Sequence, residues 1–165
     1  MLLWHLCHQI LPVVTILKDK IPNLNPNCAR CIDKEEDHMH VFRDCCNSRA
    51  IWNRVLNSNR HIDQPSMKVF MNSDWNTWMS LNTGGNKDRV MVFGVTVWHR
   101  WKNRNEAVLQ QKMRHDSYVF NILTTDLVAN SNSFQDKRKK QSIEANVSYG
   151  GFLRLVSTKS IPMAV

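Results

Sequence analysis

Residues 28 to 46, CARCIDKEEDHMHVFRDCC, hold four of the chain's five cysteines and two of its seven histidines. Nothing else in the 165 residues constrains the fold as much. A metal gripped by side chains in so short a loop fixes the backbone on both sides of it. Cys28 and Cys31 form a C-x2-C pair, a spacing that lets one tight turn present two thiolates to one ion. His40 and Cys45 complete the pattern C-x2-C-x8-H-x4-C. Three thiolates and one imidazole suit a borderline-soft ion of tetrahedral preference, and zinc is the expected metal. His38 can replace His40, and Cys46 can replace Cys45; the H-x4-C spacing, that of zinc knuckles, prefers His40 and Cys45. Four protein ligands leave no open position for water, so the expected role is structural and not catalytic. A thioredoxin-like reading of C-x2-C lacks the surrounding βαβ pattern.

The flanking sequence reads as helical. Leu3, Leu6 and Ile10 fall at helical spacing and Pro12 ends the run, which predicts a buried helix over 2–11. Residues 13–20 add a short turn of helix, and IPNLNPN is a loop that delivers the chain to Cys28. Ile51, Trp52, Val55 and Leu56 form a stripe that predicts a helix over 47–57. A further short helix is expected around VFMNSDWNTWMSL, and TGGNKD is a break. A long helix follows from about 88, with Val90, Phe93, Val97, Trp98 and Trp101 on one face. Its pattern weakens but continues through Val108, Leu109 and Met113, and again at Phe120, Leu123 and Leu127. Residues 130–146 are polar and basic, a composition that predicts a linker or disorder. The last twenty residues have β-like content without an evident partner strand.

Charge separates two regions. The finger has three basic and five acidic side chains, and a zinc–trithiolate centre makes it more negative still, so it is a poor phosphate binder. The chain as a whole carries a formal charge of +8. The excess lies in residues 99–115 and 137–165. Arg100, Lys102 and Arg104, with Lys137, Arg138, Lys139 and Lys140, are therefore the candidate nucleic-acid contacts, and RNA or DNA, bound weakly and non-specifically, is the expected partner. Trp98 and Trp101 are expected in the core, with the cations on the solvated side of the same helix. Gly-rich phosphate loops, G-x-S-x-G, H-E-x-x-H and the deaminase signature are all missing, so no enzyme is expected. No apolar run reaches the roughly 18 residues of a membrane span. The first helix lacks a signal peptide's basic start, so an intracellular location, nuclear or cytoplasmic, is expected.

With these residues in place, the chain resembles the reverse-transcriptase zinc-binding domain of plant non-LTR (LINE-type) retrotransposon polyproteins. Leu3, Trp4, His8, Leu11 and Pro12 match the start of the family pattern, Cys28, Cys31, His40 and Cys45 its metal set, and Trp52 the tryptophan on the following helix. Trp98, Trp101, Lys102, Arg104 and Asn105 resemble the W-x-x-W-K-x-R-N helix that follows the domain in these polyproteins. The likeness covers about residues 2–110. It departs from the family at Ala29 and Cys46, where proline is usual, and at Val13, where threonine is usual. The family domain starts earlier, so the resemblance implies an N-terminally truncated copy. Reverse-transcriptase Y-x-D-D and the RNase H carboxylates are missing, as in a fragment of a degenerate element.

The resulting expectation is a mainly α protein. A small zinc-stabilised helical domain spans 1–57, a helical region with the long helix spans 58–129, and a basic linker with an unstructured tail spans 130–165. Its function would be that of a non-catalytic structural-zinc module associated with nucleic acid. The alternatives are a zinc-stabilised protein-interaction module or an element fragment without function.

Overall fold

The computed structural model of the protein describes residues 1–59 and 65–157. Its elements are α1 (Leu2–Cys7), α2 (Val14–Leu17), a π-helical turn (His40–Asp44), α3 (Cys46–Ser58), α4 (Met67–Asn72), α5 (Trp75–Thr83), α6 (Lys87–Gln110) and α7 (Asp116–Ser157). The protein is mainly α-helical. No strand occurs among the described residues, and an isolated bridge between Asn27 and Glu35 closes the neck of the cysteine loop. No helix among the described residues is long and apolar enough to cross a membrane.

Packing divides the chain into Met1–Leu127 and Val128–Val165. The first unit has a core built on Trp52 of α3, which is 1% exposed. Its ring lies 4.8 Å from Phe70, 5.9 Å from Phe93 and 6.2 Å from Trp78. Trp78 meets Phe93 at 5.0 Å. One aromatic cluster therefore locks α3, α4, α5 and α6 together, each ring pair adding roughly 0.5–1.5 kcal/mol beyond its burial. Leu6, Val41, Ile51, Val55, Val97 and Leu123 complete the interior with no exposure.

Several helix ends differ from the sequence expectation, each for a local reason. The first helix stops at Cys7 rather than running to Leu11. Gln9 takes a left-handed conformation (φ 52°), its N–H bonds to the Leu6 carbonyl and that of Ile10 to His5. This is a Schellman end with glutamine in place of the usual glycine. The segment around 69–81 is two helices, because Asp74 caps α5 through the Thr77 N–H at 3.0 Å. The long helix ends at Gln110, where Gln111 turns left-handed (φ 51°), so Phe120, Leu123 and Leu127 belong to α7.

In the second unit, backbone to Ser157 is helical, where a linker is expected from composition. No glycine or proline occurs between Asp116 and Tyr149 to break it. Beyond Leu127 no residue is buried among those described, in keeping with a segment too polar to join a core. Of the β-like final stretch, residues 158–165 lie outside the described residues.

Candidate metal centre

The cysteine loop leaves α2 through a turn-rich segment and makes a knuckle. The Cys28 N–H bonds to the Lys34 carbonyl at 2.9 Å, and the Ile32 N–H bonds back to the Cys28 carbonyl at 2.8 Å. To close this turn Ile32 adopts a left-handed conformation, φ 67°. That region disfavours branched side chains.

His40 and Cys45 stand at the two ends of the π-helical turn, whose defining bond runs from the Cys45 N–H to the His40 carbonyl at 2.9 Å. The wider turn leaves carbonyls without helical partners. Val41 O accepts from Arg30 Nη2 and from Ser48 Oγ, each at 2.7 Å, and Phe42 O accepts from Trp52 Nε1 at 2.7 Å. Arg30 lies between the two cysteines of the knuckle, and Ser48 and Trp52 lie on α3. These bonds tie all three ligand-bearing segments into one rigid unit.

The result is a cluster. One ligand atom each from Cys28, Cys31, His40 and Cys45 lies within 4.8 Å of all the others. Cys28 Sγ is 3.9 Å from Cys45 Sγ, and Cys31 Sγ is 3.2 Å from His40 Nε2. Cys28, His40 and Cys45 are buried and Cys31 is half-buried. Both alternatives left open by the sequence go elsewhere. His38 donates from Nε2 to the Leu11 carbonyl at 3.1 Å, and Cys46 is exposed with its thiol on Asn47. A helical reason underlies this: Cys45 sits at the N-cap of α3 facing inward, and the next residue begins the helix on the outer side.

The thiols are electrostatically unequal. The hydrogen bond shared with Cys45 holds the Cys28 thiol far below its ordinary pKa; the His40 ring and Arg30 act in the same sense against burial. Cys45 is raised, first by that same bond and then by burial. Cys31 is raised, chiefly by burial. Several thiols crowded in one buried place cannot all ionise without a cation, and a divalent ion supplies the missing charge.

The candidate cations on α6 divide sharply. Lys102 is exposed. Arg100 is fully buried and Arg104 is 4% exposed, which corrects the expectation that they face solvent and withdraws them from any phosphate. Arg104 is held at 2.5 Å by the fully buried Glu36 of the cysteine loop. Trp98 reverses the expectation in the other direction: it is 50% exposed, while Trp101 packs on the core and stacks on Phe42 at 6.0 Å. The inward stripe of α6 is thus apolar at Val92, Phe93 and Val97 and becomes cationic at Arg100 and Arg104. The cause lies in what it faces, an acidic, thiol-rich loop in place of aromatic rings. Of the distal run on α7, Lys137, Lys139 and Lys140 are exposed, and the Arg138 side chain lies outside the described residues. Sequence reasoning passed over Glu36 and Arg30 as ordinary loop charges. Their one local signal is position, Arg30 inside C-x2-C and Glu36 between the ligand pairs.

Fold and site together define a small helical protein with a Cys3His cluster that can hold a metal ion. No family model, curated protein or solved structure matches the chain.

Proposed function

We propose that this chain is a non-catalytic module organised by one structural zinc ion, of the type found in the reverse-transcriptase zinc-binding domains of plant non-LTR retrotransposons, and that it associates with nucleic acid. The observation that carries the reading is the closed set of four mutually adjacent donors. Tetrahedral zinc bonded to sulfur at about 2.3 Å and to nitrogen at about 2.0 Å requires sulfur–sulfur separations of roughly 3.8 Å and sulfur–nitrogen separations of roughly 3.5 Å. The 3.9 Å sulfur–sulfur and 3.2 Å sulfur–nitrogen separations lie close to those values, and every pair of donors lies within 4.8 Å. All four positions are filled by protein, which favours a structural role.

The nucleic-acid part rests on the charge of +8 and on the exposure of Lys102, Lys137, Lys139 and Lys140. Such contacts are phosphate contacts, weak and indifferent to sequence. A second reading, a protein-interaction module, is favoured by Trp4 and Trp98, which are 57% and 50% exposed.

Native mass spectrometry of protein purified without added metal tests the zinc: one ion per chain in wild type and none in Cys31→Ser is expected. No zinc in either sinks the reading. A salt titration with single-stranded RNA and DNA then tests the partner. Affinity should fall steeply with salt, and more so in wild type than in a variant with Lys102, Lys137, Lys139 and Lys140 changed to Glu. Binding that ignores salt, or no binding at low salt, sinks the nucleic-acid part of the reading.

A further inference from the structure

Among the described residues, Arg100 stands out as a buried charge with unpartnered nitrogens. It is 0% exposed, yet its Nε and Nη1 have no hydrogen-bond partner. Among the described residues its guanidinium makes one hydrogen bond, from Nη2 to Asn103 Oδ1, at a long 3.4 Å. A guanidinium buried in this state is costly unless an anion stands nearby. Arg104, one turn on, has such an anion in Glu36. Arg100 has no carboxylate in ion-pair contact among the described residues. A second guanidinium, Arg30, is also buried, with its Nε unpartnered and its remaining nitrogens on the Val41 carbonyl and the Ser48 hydroxyl. Arg30 lies inside C-x2-C, and Arg100 directly precedes Trp101, whose ring stacks on Phe42 of the π-helical turn against which α6 packs.

We propose that Arg100, assisted by Arg30, is the counter-charge of the metal–thiolate centre, a positioning residue that stabilises the ion-loaded cluster by its field. The inference rests on the zinc reading above. Three thiolates and one imidazole on a divalent ion carry one net negative charge, spread over sulfurs that accept few hydrogen bonds. Such a centre buried in protein needs a cation close by, and Arg100 needs an anion. The groups acting on Arg100 fit this account. Burial, then Arg30, lowers its pKa to about 9, whereas Asp116, Cys45 and Cys28 raise it. With the half-buried Asp116 counted, the two arginines and the loaded centre neutralise one another.

The test is cobalt and zinc affinity, measured by chelator competition on the full chain, with the sulfur-to-cobalt charge-transfer band recorded alongside. Arg100→Met is expected to weaken binding by roughly 10–100-fold. Its band should move to longer wavelength, because thiolates relieved of a nearby cation give up electrons more easily. Arg100→Lys keeps the charge and should stay within roughly threefold of wild type. Asp116→Asn is a milder change at a half-buried position and does not depend on how Arg100→Met folds. It removes the anion that competes for Arg100, so it should tighten binding a few-fold and move the band the other way. If wild type binds and Asp116→Asn binds equally or less tightly, or if folded Arg100→Met binds like wild type with an unmoved band, the counter-charge role is overturned and the zinc reading stands. If wild type binds neither ion, the zinc reading itself fails.

Discussion

Removing Arg104 should be among the most damaging single changes outside the Cys3His cluster. Glu36 is fully buried and its Oε1 accepts from three donors, Arg104 Nε at 3.0 Å, Arg104 Nη2 at 2.5 Å and the Val14 N–H at 3.2 Å. Its other oxygen has no partner. In Arg104→Met the carboxylate keeps one amide donor and loses its charge partner. Breaking a buried pair in this way costs about 3–5 kcal/mol. For the unit Met1–Leu127 that corresponds to a fall in Tm of roughly 10–20 °C. The second change, Glu36→Gln in the Arg104→Met background, removes the stranded charge and leaves an amide oxygen for Val14. It should recover more than half of the loss, because replacing a buried ion pair by neutral groups is often close to neutral. Urea denaturation with saturating zinc gives the free energies, and a double-mutant cycle isolates the pair. A loss below about 1 kcal/mol in Arg104→Met, or a double variant no more stable than the single, would refute the reasoning.

Three smaller effects are expected. Ile32→Gly should stabilise the knuckle by roughly 0.5–1 kcal/mol, since relief of the left-handed strain exceeds the added chain entropy, and Ile32 buries little; chemical denaturation of the zinc-loaded protein reads it, and any loss counts against it. Trp52→Ala should cost about 3–5 kcal/mol, and Trp52→Phe noticeably less, with the Phe42 carbonyl stripped of its donor in both; thermal melts decide. Burial, the largest influence on His38, holds its pKa below the usual 6.5. The unfolded chain therefore takes up the proton first, so this contribution is intact above about pH 6.5 and is lost as pH falls below it. The gap in stability between wild type and His38→Gln should narrow over that window, and a gap independent of pH counts against the assignment.

What the sequence made legible was the part governed by spacing. The ligand set follows from the distances between cysteines and histidine, and α3 from a stripe at 51, 52, 55 and 56. The choice between His40 and His38 is weaker in sequence; in the structure the Leu11 carbonyl, 27 residues away, occupies His38, and His40 joins the cluster. Arg100 and Arg104 were illegible for a stronger reason. A cation on an amphipathic helix ordinarily marks the wet side, and only the three-dimensional approach of an acidic, thiol-bearing loop turns that side inward. Trp98 is the counterpart: it stands beside the buried row of Phe93, Val97, Arg100 and Arg104, and half of it faces solvent. The ends at Gln9 and Gln111 carry no glycine to announce them.

The sequence separation of these contacts sets an order of assembly. The two cysteines that meet at 3.9 Å are 17 residues apart, whereas Glu36 and Arg104 are 68 apart. Closing the longer loop costs about 1.2 kcal/mol more in chain entropy, by the logarithm of the fourfold ratio. A metal ion can therefore gather the knuckle while the rest of the chain is still open. The helix bearing the two buried arginines then docks against a loop already formed, and it arrives as the second half of a charge match instead of as its template.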